Sequence, residues 1–263
     1  MCDPTSRYGT MVRMDGTRGI GFWVDVARDV VRVHGPDAET YLHSQLSQDL
    51  RPLAVGDSRW AFLLQPTGKI DVLLRVWRTG DTEYVLDTDA GFGDVMTARL
   101  NRFKIRVKAE IEPLDWRCVA VRGPAMEGGV ASWGRGVDLL GADVVPPAGI
   151  AAGTRDDLLA ARVEAGWPAM GAEIVPSETI PAETGVIDAA VSLTKGCYPG
   201  QELVERMDSR GASAPRVLRV VDAPVGARPG DPVVRDGVEI GTYTTVAGTR
   251  ALAKIKRTAA DAT

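Results

Sequence analysis

Apolar and polar residues alternate along the first half of the chain in a way that predicts strands interleaved with helices. Asp29-Val30-Val31-Arg32-Val33 reads as a strand. His34-Gly35-Pro36 is a turn, Asp37 a helix N-cap, and Ala38, Tyr41, Leu42, Gln45 and Leu46 follow helical spacing. Residues 59–65 and 70–77 form a hairpin about Pro66-Thr67-Gly68, and residues 83–86 form a further strand. Residues 95–103 predict a helix. In residues 104–111 charged and apolar positions alternate, predicting a half-buried strand. Arg102, Lys104, Arg106 and Lys108 would share one face of it, opposite Phe103, Ile105 and Val107. The order β-α-β-β-β-α-β is close to a ferredoxin-like unit.

A looser echo follows. Residues 118–121 predict a strand ending in Gly123-Pro124, 138–145 an extended piece, and 156–165 a helix stopped by Gly166 and Pro168. After Gly211 the pattern changes to short strands at 217–221, 232–234, 239–244 and 251–256, with Gly and Pro between them. That spacing predicts a small all-β barrel, with the boundary near 209–215. The fold class is α+β.

Composition narrows the function. The 263 residues are 44% hydrophobic and 25% charged, with no apolar run near the ~18 residues of a membrane span. Residues 1–21 lack an apolar core, so they read as a flexible leader and not as a signal or transit peptide. A net charge of −4 disfavours nucleic acid as a partner. Acidic residues outnumber basic ones up to residue 194 and the reverse holds after it, through surface variation or a cationic pocket wall. Cys2, Cys118 and Cys197 form no disulfide framework, suit a reducing cytoplasm, and are too few to hold an iron–sulfur cluster within one chain. With only two histidines, His34 and His43, no metal site is expected.

The sharpest segment is Lys195-Gly196-Cys197-Tyr198-Pro199-Gly200-Gln201-Glu202. Its glycines and proline force a tight backbone, and a helix can begin at Gln201. Cys197 then lies just before a helix N-terminus and two residues from Lys195, a setting that lowers a thiol pKa. The other reading is an inert loop cysteine.

This motif resembles the Lys-Gly-Cys-Tyr-x-Gly-Gln-Glu signature of the YgfZ family, relatives of the glycine-cleavage T-protein. The stretches Val33–Leu42, Arg162–Pro168, Ile180–Glu183, Glu239–Thr242 and Ala251–Ala253 also resemble family segments, so the likeness spans roughly residues 25–257. The resemblance implies three domains in a ring around a central folate pocket. Residues 22–112 would form the first ferredoxin-like unit, 113–208 a second ending in the motif, and 212–263 the C-terminal barrel, with strand swaps between the first two possible. It implies a cytoplasmic tetrahydrofolate-binding accessory protein that assembles or repairs iron–sulfur clusters in client enzymes. Cys197 and Lys195 would be the reactive pair. Glu164, Lys195, Tyr198, Gln201 and Glu202 would contact the folate, Glu164 accepting paired N–H bonds from the pterin. T-proteins carry an Asp-Asp pair that by spacing from Gly68 falls on Val72 and Leu73, with Asp71 one position early. This argues against aminomethyl transfer and leaves enzyme activity open. The segment between Arg122 and Asp156 is also short for the family. The alternatives are a folate-dependent one-carbon transferase and a folate-binding module with an inert cysteine.

Overall fold

The strand Trp60-Ala61-Phe62-Leu63-Leu64 is apolar at every position because its sheet is covered on both faces. In the computed structural model, which describes residues 21–123, 126, 128–209 and 214–260, this strand lies at one edge of a five-stranded antiparallel sheet. The elements are β1 (Phe22–Val26), β2 (Arg28–His34), α1 (Ala38–Gln45), β3 (Ser58–Leu64), β4 (Ile70–Gly80), β5 (Glu83–Asp89), α2 (Gly93–Arg102) and β6 (Glu110–Leu114). The sheet order is β3-β4-β5-β2-β6. Ala61, Leu63, Val72, Leu74 and Val76 face α1 and α2, where they pack on Tyr41, Leu42, Met96 and Leu100. Trp60, Phe62, Leu64 and Leu73 face the other way, onto Met170, Ile174, Val186, Tyr198 and Val204.

A second sheet follows from β7 (Arg117–Arg122), β8 (Gly136–Gly141) and β9 (Ala151–Ala152). Its order is β8-β7-β1-β9, so the first strand of the chain pairs antiparallel with β7 and parallel with β9. Helix α3 (Arg155–Glu164) starts in a capping box. Thr154 Oγ1 accepts from Asp157 N–H at 3.1 Å while the Asp157 carboxylate accepts from Thr154 N–H at 2.8 Å. Gly166, at φ +66°, ends the helix. Two short helices, a 3-10 turn η1 (Pro181–Glu183) and α4 (Ile187–Ala190), precede α5 (Gln201–Ser209).

The C-terminal strands β10 (Arg216–Asp222), β11 (Pro232–Arg235), β12 (Val238–Ala247) and β13 (Arg250–Lys256) form an antiparallel sheet in the order β10-β13-β12-β11. They match the four expected strands, but their hydrogen bonds describe an open sheet and not a closed barrel. Val163 of α3 packs on Leu218 and Leu252, which joins this sheet to the second one.

One expected strand is absent. Residues 104–109 are not a strand: α2 ends at Arg102, Arg106 takes a left-handed φ of +57°, and β6 begins only at Glu110. The backbone there closes onto the start of α1 instead. Lys108 N–H donates to the Asp37 carboxylate at 2.8 Å and Asp37 N–H to Lys108 O at 3.3 Å. Asp37 sits at the N-cap position of α1 but makes no side-chain cap bond to the helix. Ile105 is 75% exposed, and Lys104 Nζ reaches Ala109 O, so the four cations do not form a common strand face.

A buried ion network ties the first two sheets together. Arg75 of β4, fully buried, donates through Nε and Nη2 to Asp87 of β5 at 2.8 and 2.9 Å, and through Nη1 to Asp138 of β8 at 2.8 Å. Arg28 of β2 also reaches Asp87, at 2.7 Å, and Arg122 of β7 reaches Asp138 at 2.7 Å. Burial disfavours the charge on Arg75, but Asp87 and Asp138 outweigh it and its pKa is raised. Burial likewise opposes ionisation of Asp87, and Arg75 and Arg28 overcome it. Removing one member leaves uncompensated buried charge. Arg75→Met is therefore expected to cost about 3–5 kcal/mol in urea unfolding. Arg51→Met, which breaks an exposed pair with Asp49, should cost less than about 1 kcal/mol.

Candidate functional site

Segment 195–202 is a brace between three elements. Gly200 has φ +83°, and a Cβ there would stand 2.5 Å from Gln65 O and 2.8 Å from the Gly68 Cα, so the segment lies directly on the β3–β4 turn. Tyr198 is buried with Trp60, Phe62 and Val204. Lys195 is 5% exposed, and its ammonium donates to the carbonyls of His43 and Leu46 at the C-terminal end of α1. It lies 5.0 Å from the centre of the Tyr198 ring. Burial pushes the Lys195 pKa down to about 8, against a smaller raising effect of Asp49.

Cys197 is exposed. Glu202 pairs with Arg206 on the solvent face of α5, and the Gln201 amide donates to the Glu205 carboxylate. The chain thus brings Lys195, Tyr198 and Gln201 into one packed turn and leaves Cys197 and Glu202 on its surface. Cys118, in contrast, is buried in the second sheet, and burial together with Asp138 pushes its thiol up to about 12. Cys2 falls outside the described residues.

Glu164 occupies a different place. It is the last residue of α3, exposed, with Oε1 3.2 Å from Arg250 of β13. Beside it lies a cavity of about 560 Å³ lined by Trp60, Trp133, Trp167, Gly166, Val186 and Asp188, among others. Trp60 and Trp167 stand 4.8 Å apart at 54°, and Arg75 lies 5.2 Å over Trp60. The Trp60 Nε1–H is buried and has no partner among the described residues. A second tryptophan-bearing cavity at this rim, about 450 Å³, is lined by Phe22, Arg122, Trp133, Gly134, Ala165 and Glu164. None of residues 195–202 lines either cavity. Arg162, two residues before Glu164, points away to Glu173 at 2.8 Å, a buried pair that Thr245 completes.

A larger cavity, about 680 Å³, lies between β2, β6 and the start of α2. No aromatic residue lines it, and its Asp29 carboxylate is occupied by the Gly91 and Gly93 N–H groups at 2.8 and 2.7 Å. His34, Glu110 and Glu112 bring potential metal ligands within 4.8 Å of one another, but Glu112 is held by Arg32 on an exposed sheet face. No helix among the described residues is long and apolar enough to cross a membrane.

Near the hairpin, Val72 and Leu73 are buried on opposite faces of the five-stranded sheet, in two different cores. Asp71 sits in a bulge where Leu63 pairs with Val72 and Leu64 with Ile70. Its carboxylate accepts from Gln65 at 2.9 Å and lies 3.4 Å from Arg99. The tryptophan cage and the Arg75 network were not anticipated. The available signal was Arg75 itself, a lone cation inside the apolar run Val72-Leu73-Leu74-Arg75-Val76-Trp77.

No family model matches the chain. Its fold is that of the glycine-cleavage aminomethyltransferases. The structure of the T-protein from Bartonella henselae superposes with a TM-score of 0.72 over 91% of this chain and 79% of that one, at 18% identity. In sequence the chain is 26% identical over 189 residues to an uncharacterized protein of Haemophilus influenzae, covering 70% of this chain and 67% of that one. It is 25% and 26% identical to the mitochondrial iron–sulfur cluster assembly factor IBA57 homologues of Pyricularia oryzae and Phaeosphaeria nodorum. Those alignments cover 76% and 78% of this chain but only 57% and 56% of the fungal proteins. The resemblance to the YgfZ family holds across these comparisons.

Two outcomes follow from the motif's geometry. The folded-state pKa of Lys195, about 8, lies below the ordinary 10.5. Between these values the unfolded chain binds the extra proton, so stability rises with pH across that window. The stability difference between the parent and Lys195→Met should therefore shift in the parent's favour from pH 8 to 10.5. A flat difference in urea midpoints would show that the ammonium is not buried. In a Cys2→Ser background, a maleimide should label Cys197 in the native protein and reach Cys118 only after unfolding. Equal native labelling of both would contradict the burial of Cys118.

Proposed function

We propose that this protein binds tetrahydrofolate in the tryptophan-walled cavity and serves as an accessory factor in assembling or repairing iron–sulfur clusters of client enzymes. The observation that carries the reading is the 560 Å³ cavity walled by Trp60, Trp133 and Trp167, beside a buried Trp60 Nε1–H that has no partner among the described residues. A buried donor without a partner is costly unless a ligand supplies the acceptor, and a reduced pterin offers ring nitrogens and a carbonyl oxygen. The cavity volume lies in the range of small-molecule sites, and its indole walls suit a flat heterocycle. Carboxylates stand at the rim: Asp188 on the cavity wall and Glu164 in the adjoining space. Either can accept the paired N–H groups of an aminopyrimidine edge. These residues fit the ligand that the T-protein likeness suggests.

The relatives named as iron–sulfur cluster assembly factors support the cellular role. Cys197, exposed at the tip of the brace, is the group available to touch a client protein or a cluster in transit. Lys195 acts as a positioning residue that pins the brace to α1. Apolar Val72 and Leu73 at the positions of the T-protein Asp pair speak against aminomethyl transfer.

Calorimetry with tetrahydrofolate tests the binding step. Trp60→Phe removes the N–H donor together with part of the indole wall and should weaken binding by at least about 0.5–1.5 kcal/mol. Glu164→Gln should cost about 1.5–3 kcal/mol if its carboxylate holds the pterin. No binding by the parent would remove the reading. In cells lacking the protein, the activities of iron–sulfur enzymes should fall and recover with the parent but not with Cys197→Ala. Full recovery with Cys197→Ala would make the cysteine inert.

A further inference from the structure

The walls of the 560 and 450 Å³ cavities meet at Trp133, and Arg122, which also lines the second of them, stacks on that ring. Its guanidinium carbon is 3.9 Å from the ring centre, and the residue is 4% exposed. Among the described residues all its hydrogen bonds run through Nη1: to Val121 O, Val137 O and the Asp138 carboxylate, at 2.9, 3.3 and 2.7 Å. Its Nε is buried and has no partner among the described residues. A buried Nε without a partner among the described residues also occurs on Arg32 and Arg99. Arg75, Arg51 and Arg117 each place the Nε–Nη2 edge on a carboxylate, of Asp87, Asp49 and Asp25. On Arg122 the same edge meets no carboxylate among the described residues.

The space around it is cationic. A cavity of about 230 Å³ under α3 is lined by Arg28, Arg122, Arg155 and Arg162, against Asp89 and Asp138. Both acids are already engaged. Asp138 is shared by Arg75 and Arg122, and Asp89 accepts from Arg28 and from Met170 N–H. The volume is that of about seven or eight waters, room for an amino-acid-sized group. Trp133 lines this cavity as well as the 560 Å³ cavity, so a ligand stacked on the tryptophans has its continuation here.

We propose that Arg122 is the anion-recognising residue of the ligand site: its Nε–Nη2 edge takes a carboxylate on the tail of a ligand whose flat end occupies the tryptophan cavity. The inference rests on the folate reading above and adds to it that the acidic tail, and not the pterin alone, is required. An Arg fork matches both oxygens of a carboxylate, and stacking on Trp133 fixes the plane in which the fork is presented.

The test compares two probes on the full chain, tetrahydrofolate and 6-methyltetrahydropterin, which has the ring but no acidic tail. The parent should bind tetrahydrofolate at least roughly tenfold more tightly than the tail-less pterin. In Arg122→Gln that preference should vanish through loss of tetrahydrofolate affinity, with pterin binding unchanged. Arg122→Lys keeps the charge beside Asp138 and guards against misfolding of the first variant. It too should lose most of the preference, because an ammonium cannot span both oxygens. Equal binding of both probes by the parent overturns the inference while leaving the folate reading intact, and so does a preference that survives in both variants. Binding of neither probe overturns both.

Discussion

Arg75 and Asp87 form a bidentate pair inside the protein, and the arrangement of the first two sheets depends on it. A guanidinium cannot be left in an apolar interior alone, so the strand that carries it must find carboxylates. Asp87 lies on the neighbouring strand and Asp138 on the second sheet. Satisfying both fixes the distance between the sheets and brings β8 and the Ala131 carbonyl over β4. Hydrophobic packing alone would tolerate some sliding of one sheet over the other; a shared three-arginine network does not. The tryptophan cage is a by-product of this constraint, since Trp60 lies under Arg28 and Arg75, and Trp133 under Arg122.

Two tasks are divided between two places. The 195–202 turn is a mechanical element: Gly200 permits contact with the hairpin, Lys195 satisfies the open carbonyls at the end of α1, and Tyr198 fills the core. What it presents to solvent is a thiol. The cavity, its walls and its carboxylate rim come instead from β3, the segment before β8, the end of α3 and the stretch around α4. A ligand in the cavity and a partner at Cys197 would be sensed by the same core, because Trp60 and Tyr198 belong to one packed cluster.

Much of this was legible beforehand. The apolar run of β3, the hairpin about Gly68, the stop of α3 at Gly166 and the β-rich C-terminal segment are written in local patterns, and the structure follows them. The 195–202 motif identified the likeness from eight residues. Residues 104–109 show where local pattern fails. They alternate as a strand should, yet Gly35 lets the Lys108 carbonyl approach so closely that a Cβ would stand 2.5 Å from it, and the backbone is diverted to α1. That contact joins positions more than seventy residues apart and leaves no mark in either segment alone. The cage was hidden for the same reason. Trp60, Trp133 and Trp167 are each unremarkable in sequence and converge only once the sheets are docked.

The pairing of β1 also sets an order of events during synthesis. This strand is the first described element to leave the ribosome, yet its antiparallel partner β7 comes some ninety residues later and β9 later still. At about 5–20 residues per second, that leaves Phe22–Val26 without a sheet for roughly 5–20 s. During that interval β2 to β6 emerge in turn, and the last of them ends at Leu114, just before β7 begins at Arg117. The nascent chain therefore carries β1 bare while the five-stranded sheet is being built beside it, a state in which the apolar side chains of β1 are most open to chaperones or to a neighbouring ribosome's product.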